Sequence, residues 1–165
     1  MKDYILSITT FNTWANTRIL NFVAAAGEDR AEMIQVSSFP SIRKTVLHIL
    51  DAQTIWMSRL EGESPLVWPL TEFAGSTLDA CKQLVESSRE FETFTARLSE
   101  QDLTATIDYK TIKGDPFRNT IVHILMHVMN HGTFHRGQLI TLLRGAGFTD
   151  LASTDMIAFF REQAK

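Results

Sequence analysis

Apolar residues recur at spacings of three and four over four long stretches of the chain, which is the pattern of amphipathic helices. Glycine, proline and serine residues mark most ends of these stretches. The pattern predicts long helices over residues 3–26, 41–60, 77–98 and 120–144, and a short fifth helix over residues 155–163. Four long helices joined by modest connections favour an all-α four-helix bundle with a short C-terminal helix.

Residues 99–118 break the helical period. Polar and apolar side chains alternate between residues 104 and 109, and a Lys-Gly-Asp-Pro turn signal follows at residues 113–116. We therefore expect an extended segment or a short irregular hairpin before the last long helix. The segments 28–40 and 62–76, rich in proline, glycine and polar residues, are interpreted as connectors.

The composition narrows the class of protein. With 165 residues, 44% of them hydrophobic and 21% charged, residues 1–165 are expected to form one soluble domain with a proper core. A net charge of −3 without a run of basic residues argues against nucleic-acid binding. The amino-terminal residues lack the continuous apolar stretch of a signal peptide or a membrane span, so a cytoplasmic location is expected. The single cysteine, Cys81, cannot form an internal disulfide and is interpreted as an inert residue of the third long helix.

The last long helix carries four of the five histidines, one at every fourth position. A helical wheel places His135 inside the apolar face and His131 at its edge, whereas His127 lies on the flank and His123 points largely away. Histidines one turn apart have Cβ atoms about 5–6 Å apart, so both imidazoles can reach one cation. The alternative is a structural hydrogen-bonded pair, because a buried imidazole needs partners for both ring nitrogens. Spacing and burial alone do not separate these two interpretations.

The roles of three further features stay open at this level. His48 lies on the shoulder of the second helix's apolar stripe, where periodicity alone indicates an ordinary boundary histidine. Asn16 in the first helix either faces solvent or hydrogen-bonds inside the bundle. A second apolar row on the last helix, made of Val122, Met129 and Ile140, is equally suited to packing within the bundle or to contact with a second copy.

The last helix also carries a recognisable motif. Residues 127–138 read HVMNHGTFHRGQ and closely resemble the HxxNHxxxHRGQ signature of the DinB/YfiT-like metalloprotein family. The resemblance continues over nearly the whole chain, through the Trp14-Ala15-Asn16 element and the second-helix pattern of His48, Asp51-Ala52, Trp56, Leu60 and Gly62-Glu63. It implies a four-helix bundle of the up-down-down-up type. In that family one histidine of the second long helix and two of the last bind a divalent ion, commonly zinc or nickel.

Position by position, the resemblance implies that His48, His131 and His135 are the metal ligands. His127 matches another frequent family histidine, implied to lie near the ligands or merely to flank them. Gln138 lies close to His131 on the wheel and is expected to orient a ligand, and Asn16 is a further candidate for this surrounding layer.

Two other positions of the motif carry expectations. Arg136 is expected to bind a neighbouring helix or a partner's surface. Phe134 departs from the Tyr or His of many members, which excludes a proton-transfer role for that side chain here.

The resemblance also carries a functional hypothesis. Three protein ligands leave a position open, as catalytic zinc sites do. Some family members are transferases that use low-molecular-weight thiols such as bacillithiol or mycothiol, so a metal-dependent thiol S-transferase is the leading hypothesis. The alternatives are a metal-dependent hydrolase, for which no carboxylate near the histidines in sequence nominates itself as base, and a non-enzymatic, stress-related metal-binding bundle. The resemblance further implies a homodimer.

Overall fold

A computed structural model of the protein describes residues 1–164. In chain order its elements are α1 (Lys2–Ala26), α2 (Glu28–Glu32), α3 (Ile42–Leu60), α4 (Thr77–Arg97), α5 (Glu100–Thr104), β1 (Thr106–Lys110), β2 (Pro116–Thr120), α6 (Ile121–Gly145) and α7 (Met156–Gln163). The four long helices and α7 confirm the predicted helical bundle with its short C-terminal helix. The helices α2 and α5 lie in segments predicted as non-helical, because one or two turns are too short to show a helical period.

The long helices follow the up-down-down-up order. One apolar cluster joins the start of α1 and α6 to the end of α3 and α4, and its members include Ile5, Met57, Phe91 and Ile124. A second cluster joins the opposite helix ends, and its members include Ile19, Ile42, Leu84 and Leu139. Helices α1 and α6 therefore run one way, and α3 and α4 run the other. Helix α6 packs between α1 and α3, which makes these two helices its partners for any interior site.

A small hairpin leads directly into α6. Strands β1 and β2 pair antiparallel, with Tyr109 opposite Phe117, and Gly114 supplies the positive φ of 89° in the turn. The Thr120 hydroxyl at the end of β2 accepts a hydrogen bond from the His123 amide at 3.4 Å and caps α6. The predicted hairpin is thus confirmed, and it fixes where the histidine helix begins.

The connector between α3 and α4 lies against α3. The Asp51 carboxylate accepts a hydrogen bond from the Leu70 amide at 2.9 Å. Farther back along the same connector, the Ser64 hydroxyl accepts one from the Lys110 amide of the hairpin at 3.0 Å. These two bonds hold the connector between the hairpin and the middle of α3, and Trp68 of the connector lies close to His48.

The second apolar row of α6 is used within the chain. Val122 and Met129 are buried in the core, and Ile140 packs against it while partly buried. The row therefore gives no separate support to a dimer, which stays a prediction. Within residues 1–164, the helices are all too short or too polar to cross a lipid bilayer.

Candidate metal centre

Three histidines from two helices meet in one cluster. His48 projects from α3, and His131 and His135 project from successive turns of α6. The Nε2 atoms of His48 and His131 are 3.0 Å apart, and one ring nitrogen from each of the three histidines lies within 4.8 Å of the others. The structure thus brings together the three side chains that the family resemblance implies as ligands. His135 is 6% exposed and His131 is half-buried, as the helical wheel predicts.

The spacing of these nitrogens suits a bound cation. A tetrahedral zinc ion with Zn–N bonds of about 2.0–2.1 Å holds two ligand nitrogens about 3.3 Å apart. Two neutral imidazoles facing each other through Nε2 can share only one proton, so this pair alone leaves one lone pair unused. A divalent ion satisfies all three lone pairs at once, and the donor set of three imidazoles fits zinc, nickel and related metals.

Gln138 fixes the orientation of one ring. The His135 Nδ1 atom lies 2.8 Å from the Gln138 Oε1 atom, one turn farther along α6. Because an amide oxygen only accepts, Nδ1 carries the proton and Nε2 is left with its lone pair facing the cluster. This contact supports the expected orienting role of Gln138, although the ring that it contacts is His135 rather than His131.

The electrostatics of the cluster keep two of its rings neutral, those of His48 and His131. Burial, together with the charge of a protonated His135, lowers the pKa of His48 to about 4. Burial and the charges of His135, His48 and His127 lower the pKa of His131 to about 3. Because only a neutral imidazole binds a metal ion, both rings are ready to act as ligands at neutral pH.

Aromatic rings close the outer side of the cluster. Phe39 stacks on His48 with ring centroids 4.0 Å apart and planes 20° apart. Phe134 meets His135 edge-on at 5.0 Å, and Trp68 lies 6.4 Å from His48. These rings surround the histidines with apolar surface, which lowers the local dielectric and strengthens any charge interaction inside.

A cavity of about 440 Å³ opens beside His48. Its walls are mainly apolar, and they comprise Phe39, Lys44, Leu47, His48, Asp51, Trp68 and Thr71. Burial raises the pKa of the Asp51 carboxyl, against the opposing effect of its bond to the Leu70 amide. The sequence reasoning missed Asp51 as a carboxylate near the histidines. The signal was available, since residues three apart on a helix share a face.

The other two histidines of α6 lie outside the cluster. His127 packs edge-on against Trp56 at 5.2 Å, and its ring is 6.0 Å from that of His131. Partial burial and the nearby charge of Arg59 lower the pKa of His127. His123 is exposed one turn earlier. The larger groove of the protein, about 780 Å³, lies farther away, where the connector after α3 meets the hairpin.

Asn16 belongs to a different polar group. Arg136, which is 2% exposed, donates hydrogen bonds to the Oδ1 atoms of Asn12 and Asn16 at 2.6 and 3.0 Å. Both asparagine amides in turn donate to the Ser88 hydroxyl of α4. Arg136 thus binds the neighbouring helix α1 and Asn16 bonds inside the bundle. Within residues 1–164, the side-chain hydrogen bonds of Asn16 go to Ser88 and Arg136, so a role near the metal ligands stays a prediction for this residue.

Comparison with known proteins agrees with this arrangement. Residues 1–163 match the DinB family. The chain belongs to the DinB family. Protein DinB of Bacillus subtilis (strain 168) is 27% identical over 169 residues, an alignment that covers 94% of this chain and 92% of that protein. The crystal structure of a DinB-like protein from Bacillus cereus ATCC 10987 superposes with a TM-score of 0.62 at 20% identity, covering 87% of this chain and 91% of that one.

The match to the DinB family covers the whole fold and not only the motif of the last long helix. The match begins at Met1, just before α1, and ends at the last residue of α7. The remaining chemical candidate, Cys81, lies buried in α4, and burial raises the pKa of its thiol to about 12. Its predicted inert character is thereby supported, because a thiol needs a low pKa and access to solvent to react.

Proposed function

We propose that this DinB-family protein is a metal-dependent thiol S-transferase. The observation that carries the proposal is the set of three imidazole nitrogens within 4.8 Å, which is one ligand short of a closed tetrahedral site. His48, His131 and His135 would hold the ion, zinc or nickel. A divalent ion bound there lowers the pKa of a small thiol and so supplies a thiolate at neutral pH.

The residues around the cluster support this chemistry by their shape and polarity. Gln138 keeps His135 in the tautomer that binds metal. Phe39 and Trp68 give the adjoining cavity of about 440 Å³ an apolar wall, which suits the carbon skeleton of an electrophile. In the overall reaction a C–S bond forms as the bond between carbon and the leaving group breaks, and the thiol proton departs with the leaving group.

A second candidate is a metal-dependent hydrolase. The observation that favours it is Asp51, whose half-buried carboxylate lines the same cavity as His48 and is available to accept a proton from water. Against it, one Asp51 oxygen already accepts a hydrogen bond from the Leu70 amide. A non-enzymatic metal-binding bundle is the third alternative.

Metal analysis followed by two activity assays separates these candidates. Purified protein is assayed for conjugation of small thiols to an activated aryl halide and for hydrolysis of activated esters, with and without added zinc or nickel. The Asp51→Asn variant should retain thiol transfer and lose hydrolysis if both occur. Metal-dependent ester cleavage without thiol consumption would overturn the transferase proposal, and full metal content in His48→Ala, His131→Ala and His135→Ala would overturn the site.

The protein is further proposed to form a homodimer, as the family resemblance implies. Light scattering at micromolar concentration should give twice the 18.7 kDa mass of one chain. A mass equal to one chain over that concentration range would overturn the homodimer proposal.

A further inference from the structure

The two histidines of α6 that take no part in the cluster share a second cleft. This cleft of about 290 Å³ is lined by Trp56, Tyr109, Asn119, His123, Ile124 and His127. It adjoins the metal centre through His127, whose ring lies 6.0 Å from that of His131. A ligand in the cleft would therefore sit one helical turn from the nearest metal-binding side chain.

A buried cation lies behind the walls of this cleft. Arg59 of α3 is 6% exposed, and its Cζ atom lies 4.5 Å from the Trp56 ring centroid and 5.1 Å from that of Tyr109. Its side chain makes no hydrogen bond or ion pair to any residue between 1 and 164, and its Nε atom is buried without a partner. Its terminal nitrogens are not among the buried atoms that lack a partner, so they keep contact with solvent, and within residues 1–164 the charge is otherwise compensated only by the two aromatic faces.

The other features of the cleft also favour a negative charge. Its lining contains no acidic side chain. The Tyr109 hydroxyl donates to the Asn119 Oδ1 atom at 2.8 Å, which leaves the Asn119 amide hydrogens free to donate into the cleft. His123 and Ile124 belong to the first turn of the 25-residue helix α6, where the helix dipole is positive.

From this arrangement we infer that the cleft at His123 and His127 binds a carboxylate, and that the thiol substrate of the protein is an acidic one. The inference rests on the proposed transferase function for the sulfur end of the molecule. The carboxylate lies against Asn119 and His127, in the field of Arg59, while the sulfur reaches the cluster at His131. The 6.0 Å between the rings of His127 and His131 suits a thiol whose carboxylate is several bonds from its sulfur.

The test compares an acidic thiol with its neutral amide. Mercaptobutyrate and mercaptobutyramide have nearly the same shape, and their binding to the zinc-loaded protein is measured by calorimetry. We expect mercaptobutyrate to bind about tenfold more tightly, as one partly screened charge interaction allows. Arg59→Met should abolish this preference, and a methionine of similar length is tolerated where a buried charge is removed.

Control variants show whether a loss of preference in Arg59→Met comes from the missing charge or from a folding defect. Arg118→Gln removes a positive charge from an exposed residue of the hairpin, next to Asn119, and should leave the preference intact. Asn119→Ala removes a donor of the cleft without altering a charge, and we expect it to reduce the preference. Equal binding of the two thiols by the wild-type protein overturns the inference, and so does a preference that survives in Arg59→Met.

A separate arm keeps this result distinct from failure of the proposed function. Succinate is titrated into the metal-free protein while the imidazole signals of His123 and His127 are followed by NMR. If neither thiol binds the zinc-loaded protein, the transferase proposal fails. Saturable succinate binding that Arg59→Met weakens would then still establish the carboxylate cleft, whereas unchanged imidazole signals would overturn it.

Discussion

Helix α6 projects polar side chains into the bundle on two sides, and the two groups are completed in different ways. On the side of α1, Arg136 meets the amide oxygens of Asn12 and Asn16, and the chain of bonds continues to Ser88 of α4. On the side of α3, His131 and His135 meet His48, and their nitrogens face one another. Residues 135 and 136 are neighbours, separated by about 100° around the helix.

The difference shows which group needs a ligand. In the Arg136 network each strong donor finds an oxygen within the protein, and only its far end is imperfect, where the Gln53 amide nitrogen has no partner among residues 1–164. In the histidine cluster three acceptor nitrogens converge with too few protons to satisfy them. The network is therefore largely satisfied within the protein and stabilises the fold, whereas the cluster could hold a metal ion and is the proposed functional site. The following predictions test that division, from the largest effect to the smallest.

The largest effect is expected on metal binding when one ligand of the cluster is removed. Zinc bound by four protein ligands gains about 10–16 kcal/mol, so one ligand is worth about 2.5–4 kcal/mol. His131→Ala should therefore weaken zinc binding several hundredfold in a competition assay with a chelator. The stability of the metal-free protein should change by only about 1 kcal/mol, because the His131 ring is half-buried and, within residues 1–164, the hydrogen bond it gives up is that to the His48 Nε2 atom. His123→Ala, an exposed histidine of the same helix, should bind zinc as the wild type does.

For the Arg136 network, the effect is expected on the stability of the metal-free protein. Arg136→Ala leaves the buried oxygens of Asn12 and Asn16 without their donor, at about 1–3 kcal/mol each, partly offset because a desolvated charge is removed. Urea unfolding of the metal-free protein should show a loss of about 3 kcal/mol. Arg144→Ala, an exposed arginine in the last turn of α6, should stay within about 0.5 kcal/mol of the wild type. A loss below about 1 kcal/mol for Arg136→Ala would contradict the stabilising role of the network.

A smaller effect on metal affinity is expected when Gln138, which contacts the His135 ring, is replaced. Gln138→Ala removes the acceptor that fixes the His135 ring, and losses of this kind weaken metal binding about 10–100-fold. Gln138→Glu keeps an acceptor at the same place and should restore most of the affinity. If both variants bind zinc like the wild type, the Nδ1 contact does not orient the ring.

These two sides of α6 also differ in how far the sequence predicts them. The helical wheel alone separates His131 and His135 from His127 and His123, because it needs only the local apolar pattern. His48 is different, since its neighbours in sequence describe an ordinary boundary position and its partners lie more than 80 residues away. Only the family resemblance links it to the other two.

The sequence suggests that Arg136 binds a neighbouring helix, but it identifies neither the partners of that residue nor the cleft, and the physical reason is the same for both. The partners of Arg136 come from α1, and those of Arg59 come from its own helix and from the hairpin, so their contacts depend on how the elements pack. Asp51 is the exception. Its spacing of three from His48 places it on the same helix face and could have identified it.

The smallest predicted effect is on the pH dependence of stability, in which the histidine cluster and the Arg136 network again differ. The pKa of His131 is about 3 in the folded protein and near 6.5 when unfolded, so the folded state binds fewer protons. The stability that follows is complete above about pH 6.5 and is lost as the pH falls towards 3. Between pH 7 and pH 5 the metal-free wild type should lose about 1 kcal/mol more stability than His131→Ala, after allowance for solvent screening.

Urea unfolding of both proteins in the presence of a chelator measures this difference. Arg136 adds nothing to it, because burial lowers its pKa only to about 9 and the guanidinium stays charged throughout this range. Equal losses in the two proteins would mean that the His131 ring is solvated in the metal-free state. The cluster would then gain its neutral rings only when the ion binds, and metal affinity would fall from about pH 6.5 downward instead of persisting towards pH 5.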